Sequence, residues 1–230
     1  MFCVDFIEKM NNLFAGGSDG LVYSDRKKLL AMCIRMAVYF CVLIVSAIGI
    51  WGLVEIFGVR AFNENGIIEN TQFALLMVST VIFGVIAWRD KSVRMAALGL
   101  MALCMLGLCR EQDAWFDDHL PIISWRIGYV FPILLILNGF RKLRVFKRQL
   151  IMIIQSPAFY MMFCAMVMVV PFAQCIGHRP LIANIIGKVS LGKILAIRRM
   201  IEESGELLGY TMLVLAAIEL AIDLRKISKR

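Results

Sequence analysis

The chain has 230 residues, of which 60% are apolar and only 18% are charged, and its mean hydropathy is +0.79. This composition excludes a soluble globular domain and a disordered chain, because one water-facing core could not bury so much apolar surface. The net charge of +8 would point to nucleic acid in a soluble protein, whereas in a membrane protein it concerns the side of the bilayer that holds the basic residues.

Long apolar runs separated by short basic segments predict an all-α fold, a polytopic transmembrane helical bundle. Residues 1–32 form a predicted cytoplasmic N-terminal segment, interpreted either as amphipathic or as a partly ordered tail. About 20 residues cross a bilayer as a helix. Six runs qualify and make up a six-span domain over 33–224: 33–58, 70–88, 94–109, 121–140, 157–176 and 205–224. The fourth run contains Pro121 and Pro132, which predict a kink.

The basic residues predict the orientation of these spans. Of the 25, 17 lie in residues 1–35, in the links 89–94 and 141–148, and in the basic tail 225–230. These segments share one side of a six-span chain, and basic residues in short loops favour the cytoplasm. We therefore expect both termini to be cytoplasmic and the chain to be a multi-pass protein of the cell inner (plasma) membrane. Membrane lipid is the expected partner and nucleic acid is not, while a homo-oligomer or a second membrane protein stays open.

Two features of the opposite, outer side carry weaker predictions. The outer segment 178–200 is predicted to be amphipathic and to lie on the outer leaflet, and a plain connecting helix is the alternative. Cys109 and Cys175 fall at outer ends of spans. They would pair only as close neighbours in an oxidising compartment.

Acidic residues concentrate on the outer side. Of the 17 Asp and Glu residues, 11 lie there or inside a span. Most of them belong to three clusters: 62–72 with Glu64, Glu69 and Gln72; 109–119 with Arg110, Glu111, Asp113 and His119; and 198–210 with Glu202, Glu203, Glu206 and Tyr210. Helical spacing places Glu69 beside Gln72 and Glu202 beside Glu206 on shared faces, whereas Glu203 is expected to point elsewhere.

Carboxylates at membrane depth need a partner, because an unpaired charge there costs at least ~2.5–3.5 kcal/mol. The partner is predicted to be a divalent metal, or an arginine among Arg110, Arg198 and Arg199. The functional interpretation is a polar outer pocket with three roles: catalytic Glu111, Asp113 and Glu206; metal-binding Glu69, Glu111, Glu202 and Glu206; and supporting Glu64, Gln72, Arg110, His119 and Tyr210. The alternative is that these acids simply face water or complement helix dipoles.

The three clusters resemble motifs of a group of poorly characterised bacterial multi-pass membrane proteins. The matching patterns are E-x-G-x-x-E at Glu64–Glu69, R-E-x-D at Arg110–Asp113 and E-E-x-x-E at Glu202–Glu206. The resemblance covers roughly half of the chain and implies a membrane protein without an established activity. Alkaline ceramidase-like hydrolases are similar compact bundles, but they need three metal-ligating histidines where this chain has His119 and His178.

Three functions follow from these patterns. The first is a metal-dependent hydrolase acting on a lipid or lipid-linked substrate, in which the metal activates water or binds phosphate. The second is an ion- or proton-coupled transporter or channel that also uses Glu219 in the last span. The third is a non-catalytic assembly protein, in which the clusters are salt bridges between helices. The hydrolase ranks first because acids from three hairpins share one side.

Overall fold

A computed structural model describes residues 19–62, 66–111, 128–176, 182 and 190–227. The described part is helical and contains no strand, which confirms the predicted all-α class. Its elements are α1 (Asp19–Phe57), a 3-10 turn (Gly58–Phe62), α2 (Ile67–Arg89), α3 (Arg94–Glu111), α4 (Val130–Arg141), α5 (Leu143–Ile154), α6 (Pro157–Val167), a π-helical turn (Met168–Phe172), α7 (Ala173–Ile176) and α8 (Leu191–Ile227).

The chain divides into two compact units, Met1–Val45 and Ser46–Arg230. The described residues of the first unit form the N-terminal part of α1. That helix begins at Asp19, well before the predicted span start at residue 33. The second unit contains the end of α1 and all other elements, and the features described below belong to it.

Three helices of the described part are long and apolar enough to cross a membrane: Leu29–Phe62, Ile67–Arg89 and Leu191–Arg225. A fourth span exists if α5 and the segment Pro157–Phe172, which are bent by 95° at their junction, count together. Large apolar side chains such as Trp51, Val81 and Phe163 are exposed on these helices. Exposed apolar surface of this extent indicates a membrane protein, because lipid, unlike water, solvates it.

The remaining predicted spans differ from the structure in length or regularity. Helix α3 has 18 residues and carries charged residues at both ends. The predicted fourth span, 121–140, is helical from Val130 to Arg141, and residues 121–127 lie outside the described part. The predicted fifth span, 157–176, is divided by a π-helical turn around Pro171. Proline lacks a backbone N–H and clashes with the preceding turn, which explains the local break in the α-helix.

Helix α8 is much longer than the span predicted over 205–224. It runs unbroken from Leu191 to Ile227 and is about 55 Å long. Residues 191–200, which were predicted to belong to a separate outer segment, are therefore the first turns of α8. Most of the preceding part of that segment lies outside the described residues.

Helix α8 packs against both α2 and α6. On the α6 side it presents Gly205 and Gly209, where a Cβ would come within 3.2 Å of Ala173 Cβ and of Ala165 O, respectively. Small residues four apart let two membrane helices approach closely. This close packing fixes the rotation of α8, and other faces of the same helix contact α2 and α3.

Helices α2 and α3 form an antiparallel hairpin with two chemically different ends. At the closed end, the Asp90 carboxylate accepts a hydrogen bond from Ser92 N at 2.8 Å within the tight turn. At the open end lie Gln72, one turn into α2, and Glu111, the last residue of α3. About 27 Å separate Gln72 from Asp90 along α2, close to the thickness of a bilayer core.

Helix α5 lies at the closed end of this hairpin. Gln149 Oε1 accepts hydrogen bonds from Met95 N at 2.7 Å and Ala96 N at 3.2 Å, and its Nε2 donates to Lys91 O at 3.2 Å. The buried Gln149 side chain therefore caps the N-terminus of α3, where backbone N–H groups lack helical partners. The contact joins the basic links 89–94 and 141–148, and we call this the basic end. The open end, with its carboxylates, is the acidic end.

Candidate ion-pair site at the acidic end

The site lies where α3 ends beside the middle of α8, with the first turns of α2 between them. Each helix contributes a cluster that the sequence singled out: Gln72 on α2, Arg110 and Glu111 on α3, and Glu206 and Tyr210 on α8. The rotation of α8 set by Gly205 and Gly209 directs Glu206 and Tyr210 toward α3.

Arg110 connects α3 to α8 through one nitrogen atom. Its Nη2 lies 2.7 Å from Glu111 Oε1 and 2.6 Å from Glu206 Oε2. The two carboxylate oxygens therefore lie no farther apart than the sum of these distances. The sequence prediction that the second and third acidic clusters meet is consistent with this geometry, since Glu111 and Glu206 share a single partner.

Burial makes this pairing strong. The Glu111 and Glu206 side chains are only 7% and 6% exposed, whereas the Arg110 side chain is 45% exposed. Two buried carboxylates so close together repel each other, and the guanidinium between them offsets that repulsion. Removing one partner of a buried ion pair leaves an uncompensated charge, which typically costs several kcal/mol. Arg110 is thus the group that makes the burial of both acids tolerable.

Tyr210 completes the network from the α8 side. Its hydroxyl donates to Glu111 Oε1 at 2.9 Å and accepts from Arg110 Nη2 at 3.1 Å. Glu111 Oε1 thereby receives hydrogen bonds from both Arg110 and Tyr210, as a buried carboxylate oxygen requires. The predicted supporting residues Arg110 and Tyr210 are both in contact with Glu111.

Gln72 and Glu203 form a second link, from α2 to α8. Gln72 Nε2 donates to Glu203 O and to Glu203 Oε2, each at 2.9 Å. Gln72 is fully buried, and its Oε1 has no hydrogen-bond partner in the described part of the chain. Reversing the amide would place Oε1 against a carbonyl and a carboxylate oxygen, so the assignment of the two amide atoms follows from the partners. An acceptor without a donor is thus built into the site.

Among the described residues, carboxylates outnumber cations around Glu203. Its carboxylate interacts electrostatically with those of Glu206, Glu111 and Glu69. No described lysine or arginine pairs with Glu203, whose side chain bonds to Gln72 instead. Among the described residues, the three carboxylates of Glu111, Glu203 and Glu206 lie around the guanidinium of Arg110. In the described part of the chain, the Glu203 carboxylate therefore lacks a basic partner and lies next to Gln72, whose Oε1 has no described donor.

The role of Glu203 corrects the prediction that it points away from the site. Glu203 and Tyr210 are seven residues apart and lie about 20° from each other around α8. Glu206 is three residues from Glu203 and faces the same side, whereas Glu202 pairs with Arg198 at 2.9 Å one turn earlier on its own helix. The i, i+3 relation between Glu203 and Glu206 was the signal that could have identified this face, but the i, i+4 relation to Glu202 was preferred.

The predicted metal ligands are distributed over different partners. Glu111 and Glu206 face Arg110, and Glu202 faces Arg198. Among the described residues, no group of three or more Asp, Glu, His and Cys side chains is placed to hold a metal ion. Glu64, Asp113, His119 and His178 lie outside the described residues. A metal site that includes them stays a prediction, while the arginine alternative is observed at Arg110 and Arg198.

Cys109 and Cys175, the predicted candidates for a disulfide, are both free thiols. Cys109 packs against the start of α4 instead, where a Cβ at Gly128 would lie 2.8 Å from its sulfur. This contact places the beginning of α4 near the acidic end of α3.

Comparison with protein-family models, with curated proteins and with solved structures finds no match for this chain. The resemblance to bacterial multi-pass proteins at the three acidic motifs therefore stays a prediction. The function has to be inferred from the chemistry of the residues themselves.

Proposed function

We propose that this chain is a six-span membrane protein that binds a proton or a small hydrogen-bond-donating cation at the acidic end, as part of coupled ion or proton transport. The observation that carries the proposal is the carboxylate of Glu203, which lies beside the Arg110-paired Glu111 and Glu206 and next to buried Gln72, whose Oε1 has no hydrogen-bond partner among the described residues. A positively charged donor supplies an interaction to each of these two groups, since it balances the charge of the Glu203 carboxylate and donates a hydrogen bond to Gln72 Oε1.

Buried polar residues deeper in the bundle also favour transport. Ser79 on α2 and Thr211 and Glu219 on α8 are buried below the acidic end. Glu219 is the ionisable group among them, and intramembrane ionisable groups typically mark ion pathways. The metal-dependent hydrolase is less well supported, because the arginines already occupy the carboxylates that a metal would require.

The proposed six spans add α3 and α4 to the four that length and composition support. Helix α4 begins beside Cys109, near the acidic end, and ends at Arg141, next to the α5 helix of the basic end. Its direction is thus opposite to that of α3, as a span requires. The positive-inside rule then places the basic end in the cytoplasm and the acidic end outside. In a cysteine-free variant, we expect Lys147→Cys to be labelled from inside and Asn70→Cys from outside.

Binding is tested by thermal unfolding of the purified protein in lipid nanodiscs, at a series of pH values and with ammonium or methylammonium. A ligand that binds the native state raises the unfolding temperature. We expect one of these ions, or the proton, to stabilise the wild type and the matched variant Glu202→Gln, but not Glu203→Gln. Equal responses in all three proteins would contradict binding at this site.

Transport is tested separately in proteoliposomes that contain a pH-sensitive dye. An imposed gradient of the stabilising ion should change the internal pH with wild type and Glu202→Gln, and not with Glu203→Gln. Binding without flux would reduce the proposal to a cation-binding membrane protein and remove its transport component.

A further inference from the structure

Helix α5 has an orientation unlike that of the spans. It is bent by 95° relative to the segment Pro157–Phe172, at a junction formed by Gln155 and Ser156. If the segment that begins at Pro157 crosses the bilayer, α5 must lie nearly parallel to the membrane plane. The Gln149 side chain holds it there by capping α3.

The faces of α5 combine basic and apolar groups in an unusual way. Phe146, Gln149 and Ile153 turn toward the bundle, and Gln149 and Ile153 are buried. On the opposite face, Arg144, Lys147 and Arg148 are exposed. Exposed apolar residues border this basic stripe on both sides, and Ile151, 55% exposed, lies within it; the others are Leu143, Val145, Met152 and Ile154. Such interleaving is typical of a helix in the membrane interface.

The basic residues of this region have no acidic partner in the described part of the chain. The side chains of Arg141, Lys142, Arg144, Lys147 and Arg148 form no ion pair with a described residue. The sequence from His119 to Ile201 contains no Asp or Glu at all. Five positive charges therefore lie together next to an apolar surface, and nothing in their own segment balances them.

We propose that α5 is a binding site for anionic phospholipid, with the headgroup phosphates against Arg144, Lys147 and Arg148 and the acyl chains against the flanking apolar residues. Charge complementarity identifies the headgroup, since basic side chains beside a membrane attract anionic lipids. The exposed apolar flanks identify a lipid as the source of the phosphate, because a soluble anion would leave them in water. This proposal is independent of the function of the acidic end.

The experiment is a titration of the full-length, detergent-solubilised protein with phosphatidylglycerol or phosphatidylcholine, with bound lipid counted by native mass spectrometry. We expect preferential retention of phosphatidylglycerol. The double variant Arg144→Gln/Arg148→Gln should weaken its binding by about tenfold or more. The matched variant Arg60→Gln/Lys193→Gln removes the same charge at two exposed positions on other elements and should bind as the wild type does.

Three results would overturn the proposal. Equal retention of the two lipids would exclude selection of the anionic headgroup. Equal losses in both double variants would assign binding to net charge rather than to α5. Competition by glycerol 3-phosphate at the same concentration as the lipid would show a site for a soluble phosphate. A folding defect is detected independently, because the unfolding temperature in phosphatidylcholine should be the same in all three proteins.

Discussion

The two ends of the α2–α3 hairpin differ in whether their charged side chains are buried or exposed. At the acidic end, Glu111 and Glu206 are buried and share Arg110. At the basic end, the charged side chains of α5 are exposed, and the buried polar contact is made by the neutral Gln149. Buried charges must be paired inside the protein, whereas exposed charges stay available to something outside it. The internal network is therefore expected to determine stability, and the exposed stripe to determine contacts with the membrane.

The largest expected effect is that of replacing Arg110, the arginine of the acidic end. Arg110→Met removes the guanidinium that the buried Glu111 and Glu206 carboxylates share. We expect a loss of about 3 kcal/mol in the free energy of unfolding, at the lower end of the range for broken buried pairs because Arg110 is partly exposed. Chemical denaturation in mixed micelles measures the loss. Adding Glu111→Gln and Glu206→Gln to the variant should restore part of it, and no restoration would contradict the charge explanation.

The next effect tests the polar contact of the basic end. Gln149→Leu leaves Met95 N and Ala96 N buried without an acceptor, and we expect a loss of about 2 kcal/mol. Hydrogen exchange in the peptide that contains these two amides should accelerate. The exposed Gln155→Leu serves as a control and should leave exchange unchanged; equal acceleration in both variants would contradict the capping role.

A smaller effect is expected from the hydroxyl of Tyr210. Tyr210→Phe removes one of the hydrogen bonds to Glu111 but leaves Arg110 in place, so we expect a loss of about 1 kcal/mol in unfolding free energy. Thr80→Val removes a hydroxyl that bonds within its own helix, to Leu76 O, and should cost less. If Thr80→Val lowers the unfolding free energy more than Tyr210→Phe does, the hydrogen bond from Tyr210 to Glu111 does not contribute more than a hydroxyl bond within one helix.

The smallest effect on the unfolding free energy is expected from the exposed arginine that we compare with Arg110. Arg144→Met at the basic end removes an exposed guanidinium without an acidic partner in the described residues, and we expect a change below about 0.5 kcal/mol. The measurement is the same denaturation used for Arg110→Met. A loss as large as that of Arg110→Met would show that the two ends do not differ in the way their burial indicates.

Parts of the site were predictable because their chemistry is local. The i, i+3 and i, i+4 spacings identified Gln72 and Glu206 as polar residues on shared helix faces, and its position at the end of a predicted span identified Glu111. The same spacings could not rank Glu202 against Glu203, since both lie within one turn of Glu206. The choice depends on which side of α8 faces α2, and that side is set by the packing of Gly205 and Gly209 against α6 and the segment that follows it. Rotation of a helix about its axis is a property of its neighbours.

The sequence by itself determined that lipid surrounds the apolar helices and that the fold is all-α. Hydropathy and the length of apolar runs can be read from neighbouring residues and do not depend on packing. It also indicated which links are basic. Only the tertiary structure decided that Arg110 bridges α3 and α8, that Glu203 rather than Glu202 joins the site, and that α5 turns sideways at the basic end. Each of these depends on the order and rotation of helices around one another, which arise from contacts between residues far apart in the chain.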